Sequence, residues 1–285
     1  MRIQVLLASL FVLFSASVFS QEKPEDQSGK LEKIRYGRLE KIRYYSVVSE
    51  SERAANVIVP AEYDGSEPLP VLYLLHGIGG DENEWLGARP VETLGKMIAK
   101  GEASKMLVVI PNIRVHKKGT KEPGFFSRER FQEFDVFIDD LQKSLMPEIE
   151  KRYSVATDRE SQAIAGLSMG GREALYIGVK LCDKFAYVGA FEPAPGVLPY
   201  PAEPGLLTKE TATFPEEYKN STYLLITKGT RDSVVGANPK TYADVFEANG
   251  VDPHFTELEG GHDFSVWKAS LELFARRIFS KRDAQ

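Results

Sequence analysis

Ser168, Asp232 and His262 are the residues of this chain whose types and order could carry nucleophilic acyl transfer. Ser168 stands in Gly166-Leu167-Ser168-Met169-Gly170-Gly171, a G-x-S-x-G pattern. An apolar run, Gln162 to Ala165, precedes it, and Arg172 to Val179 follows with apolar positions at helical spacing. The pattern predicts a strand, a sharp turn that carries the serine, and a helix. So tight a turn forces strained backbone angles, and Gly166 and Gly170 let strand and helix approach closely. The serine then sits at a helix N-terminus, where the Met169 N–H can face a developing oxyanion. A second donor is expected at Ile78, in the glycine-rich turn His76-Gly77-Ile78-Gly79-Gly80. Asp232 lies in the loop after Tyr223 to Thr227, and His262 in the loop after Pro253 to Leu258. A serine hydroxyl is a weak nucleophile until a base takes its proton, and the order Ser, Asp, His, each after a strand, suits such a relay. His262 reads as the base and Asp232 as the group that orients it. Asp263 adjoins His262, yet a sequence neighbour is poorly placed to reach around to the ring. His76 reads as a support for its own loop, and His116 and His254 as structural or solvated residues.

The remaining pattern is that of elements able to hold such loops in place. Leu69 to Leu75 and Met106 to Pro111 are apolar almost throughout, as strands buried on both faces of a parallel sheet must be. Ala54 to Pro60 and Phe185 to Phe191 read as further strands, and Tyr45 to Val48 as the first. Pro90 to Lys100 is a helix that starts on a proline, and Val266 to Phe279 closes the chain as an amphipathic helix. Phe131 to Tyr153 carries apolar residues at helical spacing, which predicts one long helix interrupted near Pro147. The charged loop Asn112 to Ser127 and the proline-rich stretch Glu192 to Gly205 follow strands and are placed to shape access to a pocket. Trp85, Phe126, Glu192 and Trp267 are the candidate substrate contacts. These signals predict an α/β-hydrolase fold, a mostly parallel central sheet with helices on both faces in a single domain.

Residues 1–20 have one positive charge, a short apolar run and small residues at the end, the pattern of a secretory signal peptide. The run is too short to span a membrane, so no stable membrane insertion is expected after cleavage, and the product is secreted or periplasmic. A polar linker is expected over 21–37, the folded domain over 38–280 and a tail over 281–285. Loss of residues 1–20 removes Arg2 alone, so the net charge of −5 becomes −6. That acidic balance argues against nucleic acid as a partner. Cys182 is the single cysteine, which leaves nothing to build a disulfide or a zinc site and reads as a small buried residue. Gly29 to Tyr36 and Gly37 to Tyr44 repeat one octapeptide with Lys30 changed to Arg38, a duplication that lengthens the N-terminal arm.

Leu74 to Trp85, Gly166 to Gly171 and Gly261 to Trp267 together resemble the family 1 carbohydrate esterases, which include feruloyl and acetyl-xylan esterase domains and the wider esterase D-like group. The resemblance runs from Arg38 to Phe279. It implies a Ser168, Asp232, His262 triad, oxyanion donors at Ile78 and Met169, no cofactor and no metal. It also implies release of feruloyl or acetyl groups from plant cell-wall polysaccharide such as xylan, with an acylated carbohydrate or a small ester as the only partner. The chain departs from the family at Glu192-Pro193, where a serine and small residues are usual, and a carboxylate there would disfavour acidic substrates. An acyltransferase of the mycolyl type shares the same triad, and a catalytically silent carbohydrate-binding protein is the reading from another class. The acyl group, the polysaccharide and the oligomeric state are left open by the sequence.

Overall fold

The computed structural model describes residues 36–200 and 204–280. The expected signal peptide, the linker up to residue 35, Pro201 to Glu203 and the tail lie outside the described residues. Eight strands form one sheet: β1 (Gly37–Ser46), β2 (Ser51–Pro60), β3 (Val71–Leu75), β4 (Leu107–Pro111), β5 (Gln162–Leu167), β6 (Tyr187–Phe191), β7 (Tyr223–Gly229) and β8 (His254–Leu258). Their order is β1-β2-β4-β3-β5-β6-β7-β8. The β1–β2 and β2–β4 pairs are antiparallel and the remaining pairs parallel.

Burial on both faces accounts for the unbroken apolar strands. In β3, Val71, Tyr73 and Leu75 join one core, while Leu72 and Leu74 join the core on the other side. The second core is covered by α1 (Pro90–Ala99), with Leu94 and Met97, and by the last helix. The first is covered by the helical stretch after β4, by the helix after β5 and by the helix before β8. In chain order these are α2 (Arg128–Asp135), α3 (Phe137–Asp140), α4 (Met146–Arg152), α5 (Met169–Lys180), α6 (Glu216–Lys219), α7 (Asn238–Ala248) and α8 (Phe264–Ala275). No helix among the described residues is long and apolar enough to cross a membrane.

Two elements differ from expectation. The first strand is the second copy of the octapeptide itself, Gly37–Ser46, rather than Tyr45 to Val48. Ile42, Tyr44 and Ser46 alternate inward, while Lys41, Arg43 and Tyr45 face solvent. Val47 and Val48 instead fall in the turn, where Ser46 Oγ accepts the Ser49 N–H at 2.9 Å. The long helix over 131–153 is three pieces. Ser127 caps α2 by accepting the Arg130 N–H, so helix begins before Phe131. A π-helical stretch, Leu141–Leu145, then separates α3 from α4 and keeps Leu141, Leu145 and Ile149 in the core. Pro147 lies in the first turn of α4, where its missing N–H costs least. Just before the π-helical stretch, buried Asp140 accepts from Tyr44 Oη at 2.8 Å and pairs with Arg53 at 3.0 Å. That bond ties the covering helices to the antiparallel edge of the sheet.

The turn between β5 and α5 has no free volume. A Cβ at Gly166 would lie 2.4 Å from the Gly170 backbone carbon, and one at Gly170 the same distance from the Leu75 carbonyl oxygen. Gly166→Ala is therefore expected to cost about 3 kcal/mol or more, whereas Gly124→Ala, facing only Ser127 Cβ at 3.7 Å, stays within about 0.5 kcal/mol. Urea unfolding of both variants checks this contrast.

Candidate active site

Ser168 occupies the turn with φ 50, a left-handed conformation that a residue bearing a Cβ adopts only where its surroundings impose it. Here its N–H donates to Phe191 O at 2.9 Å, and its carbonyl accepts from Ala194 N–H and Arg172 N–H, both at 3.0 Å. The strained residue is thus tied to β6, to the segment after β6 and to α5. Its Oγ lies 3.0 Å from His262 Nε2, and His262 Nδ1 lies 2.8 Å from Asp232 Oδ2. Asp232 Oδ1 in turn accepts the Val234 and Val235 N–H groups at 2.7 and 3.2 Å. Residues 30 and 94 positions apart in the chain meet because β5, β7 and β8 are parallel and end at the same edge.

Asp263 takes the other part open to it. Its Oδ1 accepts the Ser265 N–H at 2.7 Å and caps α8, which fixes the loop bearing His262. Trp267, one turn into α8, presents its ring to the imidazole at 5.2 Å in an edge-to-face arrangement. His76 is fully buried and supports the first loop, with Nδ1 2.7 Å from Gly77 O and Nε2 accepting the Ile113 N–H at 2.9 Å. Burial holds His76 below the usual imidazole range, and an acceptor Nε2 requires that neutral form. Glu84, which the sequence did not single out, accepts the Gly77 N–H at 2.6 Å. Burial raises its carboxyl, and the Gly77 hydrogen bond partly offsets that. The turn that carries Ile78 is therefore held from both sides.

A cavity of about 320 Å³ opens over Ser168, a volume that fits a small organic acyl group. Ile78, Met169, Phe126, Phe131, Tyr200 and Val234 give it mostly apolar walls. Arg172 and Asp135 form one polar stretch, 2.6 Å apart. Arg172 also pairs with buried Glu173, whose carboxyl is raised by burial to about 7. Both expected oxyanion donors, Ile78 and Met169, border the cavity beside Ser168. Phe126, one of the candidate contacts, is 78% exposed at its mouth.

Trp85, Glu192 and Trp267 do not line it. Trp85 is 0% exposed, donates Nε1–H to Leu75 O at 2.8 Å and packs edge-on against Phe191 and Phe264. It pins the end of β3 instead of meeting substrate. Trp267 is buried behind His262. Glu192 is also 0% exposed and lies behind Asp232 and His262, so it exerts no like-charge repulsion at the cavity wall. Among the described residues, Glu192, Asp232 and His262 are the group whose ligand atoms could converge on a metal, all lying within 4.8 Å of one another. Both ring nitrogens of His262 already face hydrogen-bond partners, so the set is a hydrogen-bond chain ending at Ser168. For Asp232 itself, burial pushes the carboxyl up, but its hydrogen-bonding partners, His262 before the Val235 amide, outweigh it and hold the group below its ordinary value.

Arg172, Asp135, Phe131 and Tyr200 were not foreseen as wall residues. The signal for Arg172 was its position one helical turn beyond Ser168. Nothing local marks the others, which arrive from α2 and from the stretch after β6.

Residues 46–277 match the family described as putative esterase. The chain is 30% identical over 241 residues to an endo-1,4-beta-xylanase/feruloyl esterase of Xylanibacter ruminicola, covering 80% of this chain and 29% of that protein. It thus spans under a third of that relative's length. An acetyl esterase of Caldicellulosiruptor saccharolyticus is 26% identical, with 71% of this chain and 80% of that one covered. A CE1 ferulic acid esterase of Anaeromyces mucronatus, solved in complex with ferulic acid, superposes with a TM-score of 0.80 at 36% identity, over 86% of this chain and 91% of that chain.

A hydroxyl in hydrogen-bond reach of an imidazole that is itself oriented by a carboxylate is expected to react with organophosphorus reagents that phosphonylate serine. Mass spectrometry after treatment with a fluorophosphonate should find one adduct, on Ser168. The labelling rate should fall about a hundredfold or more in His262→Ala.

Proposed function

The chain belongs to the esterase family, and from that premise we propose that it is a serine carboxylic-ester hydrolase that removes feruloyl groups from plant cell-wall polysaccharide. The observation that carries the reading is the aligned chain from Ser168 Oγ through His262 to Asp232, at 3.0 and 2.8 Å, set in the wall of an apolar cavity. His262 Nε2 takes the Ser168 proton as Oγ attacks the ester carbonyl carbon. Asp232 keeps the Nδ1–H tautomer and stabilises the imidazolium that forms. The carbonyl oxygen becomes an oxyanion, for which the Met169 and Ile78 N–H groups are the donors. His262 then protonates the departing sugar oxygen, and an acyl-enzyme ester remains on Ser168. Water, deprotonated by His262 in the second half, releases the acid and restores the serine.

The choice of feruloyl over acetyl rests on the cavity. An acetyl group would leave most of its volume unfilled, whereas Phe126, Phe131 and Tyr200 provide faces for a phenyl ring, with Arg172 and Asp135 for its polar substituents. Ferulic acid is also the molecule held by the Anaeromyces mucronatus relative, and the Xylanibacter ruminicola relative unites xylanase and feruloyl esterase in one protein. Export by the signal over residues 1–20 would bring the enzyme to a polysaccharide that cannot enter a cell. A hydrogen-bonded triad favours turnover over silent carbohydrate binding.

The test is hydrolysis of methyl ferulate and of acetylated xylo-oligosaccharide by the mature protein, beside Ser168→Ala and Asp232→Asn. Methyl ferulate should be cleaved with the higher kcat/KM. Turnover should fall by about four to six orders of magnitude in Ser168→Ala and about four in Asp232→Asn. Asp263→Asn, which keeps the helix cap, should stay within about threefold of the parent. Preference for the acetyl substrate would move the acyl class, and turnover that survives Ser168→Ala would remove the serine mechanism.

A further inference from the structure

Glu192 is the first residue after β6, and its backbone takes the left-handed value φ 48 with its N–H donated to Thr227 O at 3.0 Å. This conformation turns the side chain into the protein, behind the hydrogen-bond chain just described. One oxygen, Oε1, accepts the Gly229 N–H at 2.8 Å. The other, Oε2, is buried and receives no donor. It lies 3.6 Å from His262 Nδ1, but the proton of that nitrogen is directed to Asp232 Oδ2 at 2.8 Å. Beside it is a second buried carboxylate: an oxygen of Glu192 and one of Asp232 lie within 4.8 Å of each other. Two buried carboxylates cannot both be charged at this separation without a counter-ion on either side, and one proton between them removes the conflict.

We propose that Glu192 is a positioning residue of this site, a neutral carboxylic acid whose Oε2–H donates to the Asp232 carboxylate and so sets how strongly Asp232 holds His262. The proposal rests on the triad reading above. The proton comes from solvent, taken up by the Glu192 carboxylate as the chain folds around it. Burial, followed by the hydrogen bond to Asp232 and the Asp232 charge, pushes the Glu192 carboxyl up to about 9, with the Gly229 N–H acting against them. The ionisable groups that face this pair are Asp232 and His262, with Asp263 acting on Glu192 from the cap of α8 and Glu84 interacting with His262 from the first loop. A donor on Asp232 withdraws charge from it and weakens its pull on the His262 proton. Without that donor the imidazolium is held more tightly, and more of the base is protonated at a given pH.

The same group carries a stability signature. A folded-state value above the unfolded one means that the folded chain binds the extra proton, so stability falls as pH rises from the ordinary carboxylate range to about 9.

Two variants and one spectrum test this. Glu192→Gln keeps an acceptor for Gly229 and a donor for Asp232 but cannot ionise. It should retain kcat/KM within about threefold at neutral pH with its acid limb in place, and lack the alkaline inflection near pH 9 that the proposal expects of the parent. Glu192→Leu removes the donor. Its acid limb should move up by half a pH unit or more, roughly, and kcat should fall about tenfold with KM little changed. If the leucine variant does not fold, infrared difference spectra of parent against Glu192→Gln decide. At neutral pH the difference should show the carbonyl stretch of a protonated carboxyl group that the parent has and the variant lacks, titrating near pH 9. A difference with a carboxylate band and no such stretch, or a Glu192→Gln profile that keeps the alkaline inflection, would overturn the proposal. So would a folded Glu192→Leu with an unmoved acid limb. Failure of the triad reading is separate, since it appears as turnover surviving Asp232→Asn.

Discussion

The structure depends on a backbone contact that admits no side chain. Gly166 and Gly170 bring the end of β5 against the start of α5 and against the Leu75 carbonyl of β3, and every other feature of the site is placed relative to that contact. Because strand and helix touch there, the residue between them has only the left-handed conformation open to it. Ser168 adopts it, and its hydroxyl is thereby lifted clear of the strand toward His262. The strain is local, but what opposes it is not. Hydrogen bonds from three neighbouring segments hold Ser168, and the segments are held by a sheet whose central strands are buried on both faces.

A second layer of polar groups keeps the loops from moving independently. Neutral His76 bridges the first loop to the stretch after β4, Glu84 grips Gly77, Asp263 caps α8, and Trp267 and Trp85 fill the space between them. These residues never meet the cavity. Their effect is to convert loops, which are ordinarily the mobile part of a fold, into fixed supports for donors and acceptors.

Much of this was legible in the sequence, and the limits have a common cause. The strand-turn-helix at Ser168, the buried strands and the loop positions of Asp232 and His262 follow from periodicity and from glycines in fixed places. The preference for Asp232 over Asp263 likewise agrees with the geometry. Those signals report which loop a residue occupies and say nothing of the direction in which its side chain leaves the backbone. Trp85, Trp267 and Glu192 all stand in the right loops, yet each turns inward, Glu192 because of one positive φ that no composition rule reveals. The same limit hid Phe131, Asp135 and Tyr200, whose approach to Ser168 depends on how α2 and the segment after β6 pack. The helix over 131–153 was misjudged for a different reason: a π-helical stretch preserves the apolar spacing on average while breaking the element. The strand β1 was placed too late because its charged outer face masked the alternation of Ile42, Tyr44 and Ser46.

The cavity has a further consequence for how such a protein changes over time. Its walls are drawn from five stretches of the chain, at Ile78, between Phe126 and Asp135, between Ser168 and Arg172, around Tyr200, and at Val234 and Val235. The relay behind Ser168 is backed instead by Trp267 and the buried Glu192, neither of which reaches the cavity. Inheritance can therefore act on the two separately. Rim residues such as Phe126 and Val234 are exposed and bear little of the fold's weight, so drift there can reshape which acid the pocket prefers. The relay, backed by buried residues, has less room to change. Divergence among such chains should accordingly concentrate in what they select and spare how they cut.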